Sequence, residues 1–499
     1  MTNQNIYPLT IMEKLSSLMF TCLFVALLLC TDAGKLCAQE TVTLDAIHTM
    51  VLENSFAANT AGNQKEIAEQ DYEFYKSQLK PGVSLQADLP NYVKTSVPVT
   101  QPDGSITFQS ISQANSSIGL SASQVLTATG GTVFATTQLS RFDNFSGNQK
   151  QYNGIPVRVG IMQPIFGFNP WKYRKVIQPL LKEEAQRSYT IQMEEALTRA
   201  TSLYFDVLTA DQNLKIAQTN QDVNENLLNI TEERLTLGKV SKDEKLQLEI
   251  ELNGARLSLS QAQFQKDQAI AALFTYLGMD IPVDLLFETP TDPQQLEIDI
   301  PSLLTAFTAN RPEVIAYQRS LAQADADIAE QNALFGPGAT ITASFGLARG
   351  SDNIGDIYQD PFTEQQANIG VSIPILDWGQ RKSAVARAKI NRQDVQAGFD
   401  QQLLELENGI TQSAYRISRL QNEISLLKQI MEKADERATI SNERYILGDI
   451  DITNLTLAQR EKDQTKRNYI NALRLLWVSY YELRALTGYD ILEQKILKY

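Results

Sequence analysis

Few side chains in this 499-residue sequence could carry bond-making chemistry. It has a single histidine, His48, and three cysteines, Cys22, Cys30 and Cys37, all near the N-terminus. General bases, thiol nucleophiles and zinc sites need imidazole or thiolate groups set close together. Beyond Cys37 only His48 offers one, so it reads as a hydrogen-bonded structural histidine. Neither a Gly-x-Ser-x-Gly elbow nor a phosphate loop is present. Carboxylates are plentiful but fall in helical stretches, where a solvated face is their ordinary role. The expectation is no cofactor, no metal and no catalysis, and a net charge of −14 argues against nucleic acid as a partner.

Two further sets of residues stand out by position. Gly238 and Gly448 each close a long helical stretch, with Arg234 and Arg444 four residues earlier. Glycine there takes the left-handed C-cap conformation, and the arginine complements the helix dipole. Phe166, Phe168, Trp171 and Trp378 gather where alternating stretches give way to helical ones. An interfacial aromatic girdle and plain packing at the junction both account for them.

The elements that position these residues are written twice. Shifted by 210 positions, Gly160, Pro164, Ile165 and Lys172 fall on Gly370, Pro374, Ile375 and Lys382. Glu233, Arg234, Leu237 and Gly238 fall on Glu443, Arg444, Leu447 and Gly448, and Leu273, Gly278 and Asp280 on Leu483, Gly488 and Asp490. Upstream the shift becomes 256: Ala68, Pro81, Gly82 and Ala87 meet Ala324, Pro337, Gly338 and Ala343. The first copy thus carries 46 extra residues between Gly82 and Gly160. Shared glycines mean shared turns, because glycine marks a backbone need.

Each copy opens with a helical stretch, Leu44 to Gln78 and Pro301 to Leu334, stopped by Lys-Pro-Gly or Gly-Pro-Gly. Period-two alternation follows, in Ile341, Ala343, Phe345 and Leu347 and in Ile369, Val371, Ile373 and Ile375. That is the signature of strands with one apolar face. Residues 348–366 between them read as an exposed loop. The first copy matches at Val83 to Leu89 and at Val157, Val159 and Ile161. Its extra residues hold one more hairpin, joined across Thr129-Gly130-Gly131. Residues 172 to 237 then contain no glycine and one proline, Pro179, for about 100 Å if helical throughout. Residues 241 to 277 return, with Leu248, Leu252, Ala255, Leu259, Ala262, Ala269, Leu273 and Tyr276 at heptad spacing broken by Lys266.

No stretch beyond the leader has the ~20 apolar residues of a spanning helix. The leader itself reads as a secretory signal: Lys14, an apolar run from Leu15 to Cys30, and a small residue at Ala38 before Gln39. Strands of this length, near the ~9–11 residues that cross a bilayer, are the other route through a membrane. A few strands cannot close a barrel alone, and open edges are not tolerated in lipid. Oligomerisation is then required.

Strands feeding duplicated long helical hairpins resemble the TolC-like outer-membrane factor family. Gln163-Pro-Ile-Phe-Gly-Phe-Asn-Pro-Trp and Pro374-Ile-Leu-Asp-Trp-Gly-Gln-Arg look like its strand-to-helix segments. Asn310-Arg-Pro-Glu-Val resembles the opening of its second repeat. Arg234-Leu-Thr-Leu-Gly-Lys-Val-Ser and Arg444-Tyr-Ile-Leu-Gly-Asp-Ile-Asp resemble its hairpin tips. The likeness covers about residues 41 to 490 and implies a mainly α fold with β: a long α-helical coiled-coil barrel continuous with a transmembrane β-barrel shared between protomers. It implies a homotrimer with a 12-stranded barrel, about four membrane strands per chain. It further implies an outer-membrane channel reaching into the periplasm, passive in efflux or type I secretion. The implied partners are a periplasmic adaptor (membrane fusion protein), an inner-membrane RND or ABC pump, and outer-membrane lipid. Arg234, Gly238, Lys239, Arg444 and Gly448 would form the docking tips. Where some members carry constricting aspartates this sequence has Asn454 and Leu457, so Asp449 and Asp451, with Asn454, are the candidates for the constriction. A periplasmic coiled-coil or adhesin-like protein without channel activity is the alternative. The expected partition is a signal peptide (1–38), a first repeat (39–280; hairpin region 83–165, helical hairpin 172–278), a connector (281–300), a second repeat (301–490; hairpin 339–375, helical hairpin 380–488) and a tail (491–499).

Overall fold

The computed structural model of the chain describes residues 40–281, 285–291 and 296–499. The expected leader, its cysteines and its cleavage point lie outside the described residues. Strand β1 (Glu40–Val42) precedes two helices, α1 (Leu44–Asn54) and α2 (Phe56–Gln78). Four strands follow: β2 (Gly82–Thr100), β3 (Ile106–Leu126), β4 (Gly131–Asn144) and β5 (Gln149–Ile165). Then come α3 (Pro170–Thr236), α4 (Lys242–Leu277) and β6 (Leu285–Phe287). The second copy runs α5 (Ile300–Asn310), α6 (Pro312–Leu334), β7 (Gly338–Ser351), β8 (Phe362–Ser372), α7 (Gln380–Leu447) and α8 (Ile452–Thr487). A short hairpin, β9 (Tyr489–Asp490) with β10 (Lys495–Ile496), ends it. No helix among the described residues is long and apolar enough to cross a membrane.

Two expectations change. Each opening helical stretch is two helices, broken at Ser55 and at the equivalent Arg311. In the second copy Pro312 forces the break, since the residue before proline is held in extended backbone. The expected loop 348–366 is mostly ordered: β7 runs to Ser351, and a 3₁₀ turn at Ile354–Tyr358 buries Ile357 completely. The sheet has six strands, the four of the two copies and the extra hairpin of the first, in the order β2-β3-β4-β5-β7-β8, antiparallel throughout. The two additional strands are β3 and β4, inserted between β2 and β5, the counterparts of β7 and β8. Strand prolines sit where the ladder tolerates them. Pro90 falls in the register shift of β2 between Asp88 and Asn91, and Pro156 in that of β5 between Gly154 and Val157.

The described chain divides into two units, and each draws on both copies. One comprises the chain up to Ser55, Ala200–Pro293 and Leu427–Arg474; the other comprises Phe56–Arg199, Gln294–Leu426 and Leu475–Tyr499. In the first, the heptad seam of α4 is buried at Leu248, Leu252, Ala255, Ala262 and Leu273. Leu214 and Ala217 of α3 pack on Ala262, with Leu259 beside them. Lys266, the break in the seam, is an ion pair: its ammonium lies 2.6 Å from Asp211, which Lys215 also meets at 2.8 Å. Burial opposes ionisation of Asp211, but the two lysines more than offset it and hold the carboxyl below its usual range. Strands β1 and β6 pair in parallel, and the Tyr204 hydroxyl donates to the Val42 and Glu288 carbonyls beside them. The buried His48 ring Nε2 lies 2.8 Å from the Thr201 hydroxyl.

Candidate functional site

In an antiparallel sheet, directly paired residues share a face. Following the pairing across all six strands therefore sorts the side chains without ambiguity. One row reads Val83, Ala122, Ala135, Val159, Phe345 and Gln365; the next reads Ser84, Ser121, Thr136, Arg158, Gly346 and Glu364. The first row belongs to an apolar face with Leu85, Ile118, Leu120, Val157, Ile369 and Val371, all exposed. The second belongs to a polar face of serines, threonines and amides. That face is crowded, as the inner side of a curved sheet is. A Cβ at Gly160 would lie 2.4 Å from the Phe134 ring, and one at Gly346 would lie 2.6 Å from the Val157 carbonyl. Because Gly346 has no side chain, Arg158 reaches across β7 to Glu364 on β8, 2.6 Å away.

The strand-to-helix junctions hold the four aromatics. Phe166 and Trp378 both adopt left-handed backbone, at φ 63° and 48°, and are 75% and 86% exposed. Phe168 stacks on Tyr173, and the Arg174 guanidinium lies over the Trp171 ring. Side chains cap the helices that begin there. Asn169 accepts from the Trp171 N–H at 3.1 Å, and Asp377 accepts from the N–H groups of Gly379 and Arg381.

At the α3–α4 and α7–α8 turns the two copies coincide closely. Gly238 and Gly448 are left-handed at φ 70° and 87°. In each turn the following N–H, of Lys239 or Asp449, bonds back to the carbonyl of Arg234 or Arg444 at 2.9 Å. These are Schellman-type caps. Arg234 does something the one-helix reading missed. It donates to the carbonyls of Tyr445 and Ile446, at the end of the other copy's helix, and its guanidinium lies over the Tyr445 ring. Tyr445 is buried with Leu227, Leu248, Ile452 and Leu455, and its hydroxyl donates to Glu244 at 3.0 Å. Lys239, Arg444, Asp449, Asp451 and Asn454 are exposed on these turns. Asp451 also caps α8, accepting from the Asn454 N–H at 2.8 Å, as Ser241 caps α4.

The family model for outer membrane efflux proteins matches residues 108–279 and 303–489. The chain belongs to the outer membrane efflux protein family. Among curated relatives of this efflux protein, the pyoverdine export outer membrane protein OpmQ of Pseudomonas aeruginosa is 23% identical, over 67% of this chain and 68% of that protein. The alkaline protease secretion protein AprF of the same species is 21% identical over 65% and 69%. The crystal structure of the Campylobacter jejuni CmeC outer membrane channel shares the fold, with a TM-score of 0.66 at 15% identity, covering 89% of this chain and 85% of that one. The protein is thus an outer-membrane efflux component, mostly helical with a β domain. Sequence reading missed two of its polar clusters. Arg158 stands between Val157 and Val159, and strict alternation could have put it on the polar face; its partner Glu364, 206 positions away, carried no signal. Arg484, joining the fully buried Glu194 at 2.7 Å and Asp490 at 3.0 Å, lies in an ordinary helical pattern.

Proposed function

We propose that three copies of the chain form a passive conduit through the outer membrane, continued into the periplasm by the helical hairpins. The reading rests on one observation above all: a sheet with one apolar and one polar face, whose edge strands β2 and β8 have no partner among the described residues. In hydrocarbon each unpaired backbone group costs several kcal/mol, so such a sheet is stable only when its edges close. Closure between copies supplies the bonds, puts the apolar face toward lipid and turns the serine-rich face toward water. Phe166, Phe168, Trp171 and Trp378 then serve as the girdle at the periplasmic membrane face. Arg234, Gly238, Lys239, Arg444 and Gly448 form the tips that engage a periplasmic adaptor, through which an RND or ABC pump delivers cargo. Asp449 and Asp451, with Asn454, ring the periplasmic mouth. One relative is named for exporting pyoverdine and another for secreting a protease, which supports a conduit whose cargo is chosen upstream. Native mass spectrometry of the detergent-extracted protein tests this: three chains and ion conduction in planar bilayers are expected, and a folded, non-conducting monomer refutes it.

A further inference from the structure

The inserted hairpin β3–β4 lies within the sheet and not beside it. Its register with β2 and β5 is unbroken at the helix-proximal end, from Gly82 opposite Ser123 and from Thr132 opposite Met162. Its return turn reaches down to the strand-to-helix junction. There the Asn169 amide donates to the Thr127 carbonyl at 2.9 Å, and the Thr129 hydroxyl donates to Gln163 at 2.7 Å. The hairpin therefore traverses the whole band that β2, β5, β7 and β8 occupy. At 21 and 14 residues, β3 and β4 exceed the ~9–11 needed to cross a bilayer. Their faces continue those of their neighbours. Ile118 and Leu120 on β3, with Leu139 opposite Ile118 on β4, extend the apolar side. Ser117, Ser121, Thr136 and Ser140 extend the polar one.

The sheet also has the slant of a closed wall. Gly82, the helix-side end of β2, shares a row with Gln366 of β8, yet β8 continues to Ser372, six residues further. At ~3.4 Å per residue over five strand spacings of ~4.8 Å, that offset is a tilt of about 40°. Membrane barrels tilt by about 35–45°.

We propose that β3–β4 is a third membrane-crossing hairpin, so that three copies of this chain close an 18-stranded barrel in place of the 12-stranded one the family resemblance implies. The proposal rests on the trimeric conduit reading above. Each strand occupies its spacing divided by the cosine of the tilt. The backbone diameter is then about 36 Å, against about 24 Å for twelve strands at the same tilt. The membrane segment becomes a wide, serine- and threonine-lined pore. The insertion keeps the strand number even, so both ends of the sheet still meet their helices on one side.

Single-cysteine variants in proteoliposomes, carrying an environment-sensitive fluorophore, test the hairpin. At Leu120→Cys and Leu139→Cys, fluorescence should be lost to nitroxide-bearing lipid and unaffected by aqueous iodide. At Ser121→Cys and Thr136→Cys the pattern should reverse. Leu85→Cys and Phe345→Cys, on β2 and β7, serve as references for the strands that do not belong to the insertion. Iodide quenching at positions 120 and 139, with lipid quenching at 85 and 345, overturns the 18-stranded wall and leaves the conduit standing. Iodide quenching at 85 and 345 as well removes the conduit reading itself. Native mass is the second arm: three chains give 18 strands, and two chains would give 12 and overturn the count.

Discussion

Replacing Arg484 with methionine removes one guanidinium and most of the charge balance of a buried site. In the folded protein its Nη2 lies 2.7 Å from the fully buried Glu194, and its Nη1 lies 3.0 Å from Asp490, itself 4% exposed. The Tyr499 hydroxyl also donates to Glu194, and the Tyr480 hydroxyl donates to Asp490 at 2.6 Å. Methionine keeps much of the stem's packing, so the loss is chiefly electrostatic: two carboxylates left facing each other without a cation. Breaking a buried pair from one side costs about 3–5 kcal/mol. A loss of about 4 kcal/mol lowers the folded-to-unfolded ratio roughly a thousandfold. It is a large part of the ~5–15 kcal/mol that stabilises a domain.

The pH dependence follows in sign. Burial pushes the Glu194 carboxyl above its usual range, and Arg484 opposes that shift. Without the arginine the folded-state value rises further. A carboxyl raised in the folded state binds its proton more tightly there, so it costs stability at neutral pH. That cost disappears as pH falls through the folded-state value. The Arg484→Met deficit should therefore be largest at neutral pH and shrink on acidification. Arg484→Met with Glu194→Gln should recover much of it at neutral pH. The assay is urea unfolding in detergent, followed by Trp477, whose ring meets Tyr480 edge-on, in a background where it is the only tryptophan. An unchanged midpoint at neutral pH, or a deficit indifferent to pH, refutes the reasoning.

Other outcomes follow from the same geometry. Gly238→Val or Gly448→Val forces a β-branched residue into left-handed backbone, costing about 1–2 kcal/mol or more at the turn. Cross-linking to a periplasmic adaptor should fall while the amount in the outer membrane persists, and full docking in both variants would remove the tip assignment. Asp449→Asn with Asp451→Asn keeps the helix cap, since asparagine caps as well as aspartate, but would remove six charges from the mouth of the proposed trimer. Cation preference in single-channel reversal potentials should drop, and an unchanged potential means these residues do not line the constriction. Gly346→Val places a Cβ 2.6 Å from the Val157 carbonyl and against Arg158. It should part Arg158 from Glu364 and reduce assembled protein in the outer membrane, and wild-type amounts would contradict the close packing.

The repeated glycines and the two periodicities determined the element types, because they report backbone needs and one-sided burial, both local properties. The 210-residue shift that set Gly238 on Gly448 anticipated twin left-handed caps bonded through equivalent groups. The heptad on α4 named Leu248, Leu252, Ala255, Ala262 and Leu273, which are buried there, but not Phe274 and Leu277, which are buried too. The Thr129-Gly130-Gly131 turn signalled the inserted hairpin, but a local pattern cannot say which strand lies beside which. The tertiary structure decided that β3–β4 enters between β2 and β5, in one sheet with the four strands of the two copies. It alone paired Arg158 with Glu364, Lys266 with Asp211 and Arg484 with Glu194. In the sequence those residues are separated by 206, 55 and 290 positions, and a charge on a helix reads as solvated until the chain folds a partner against it. Arg234 is the clearest instance: its sequence position assigned it to the dipole of its own helix, and folding placed it on the carbonyls of another.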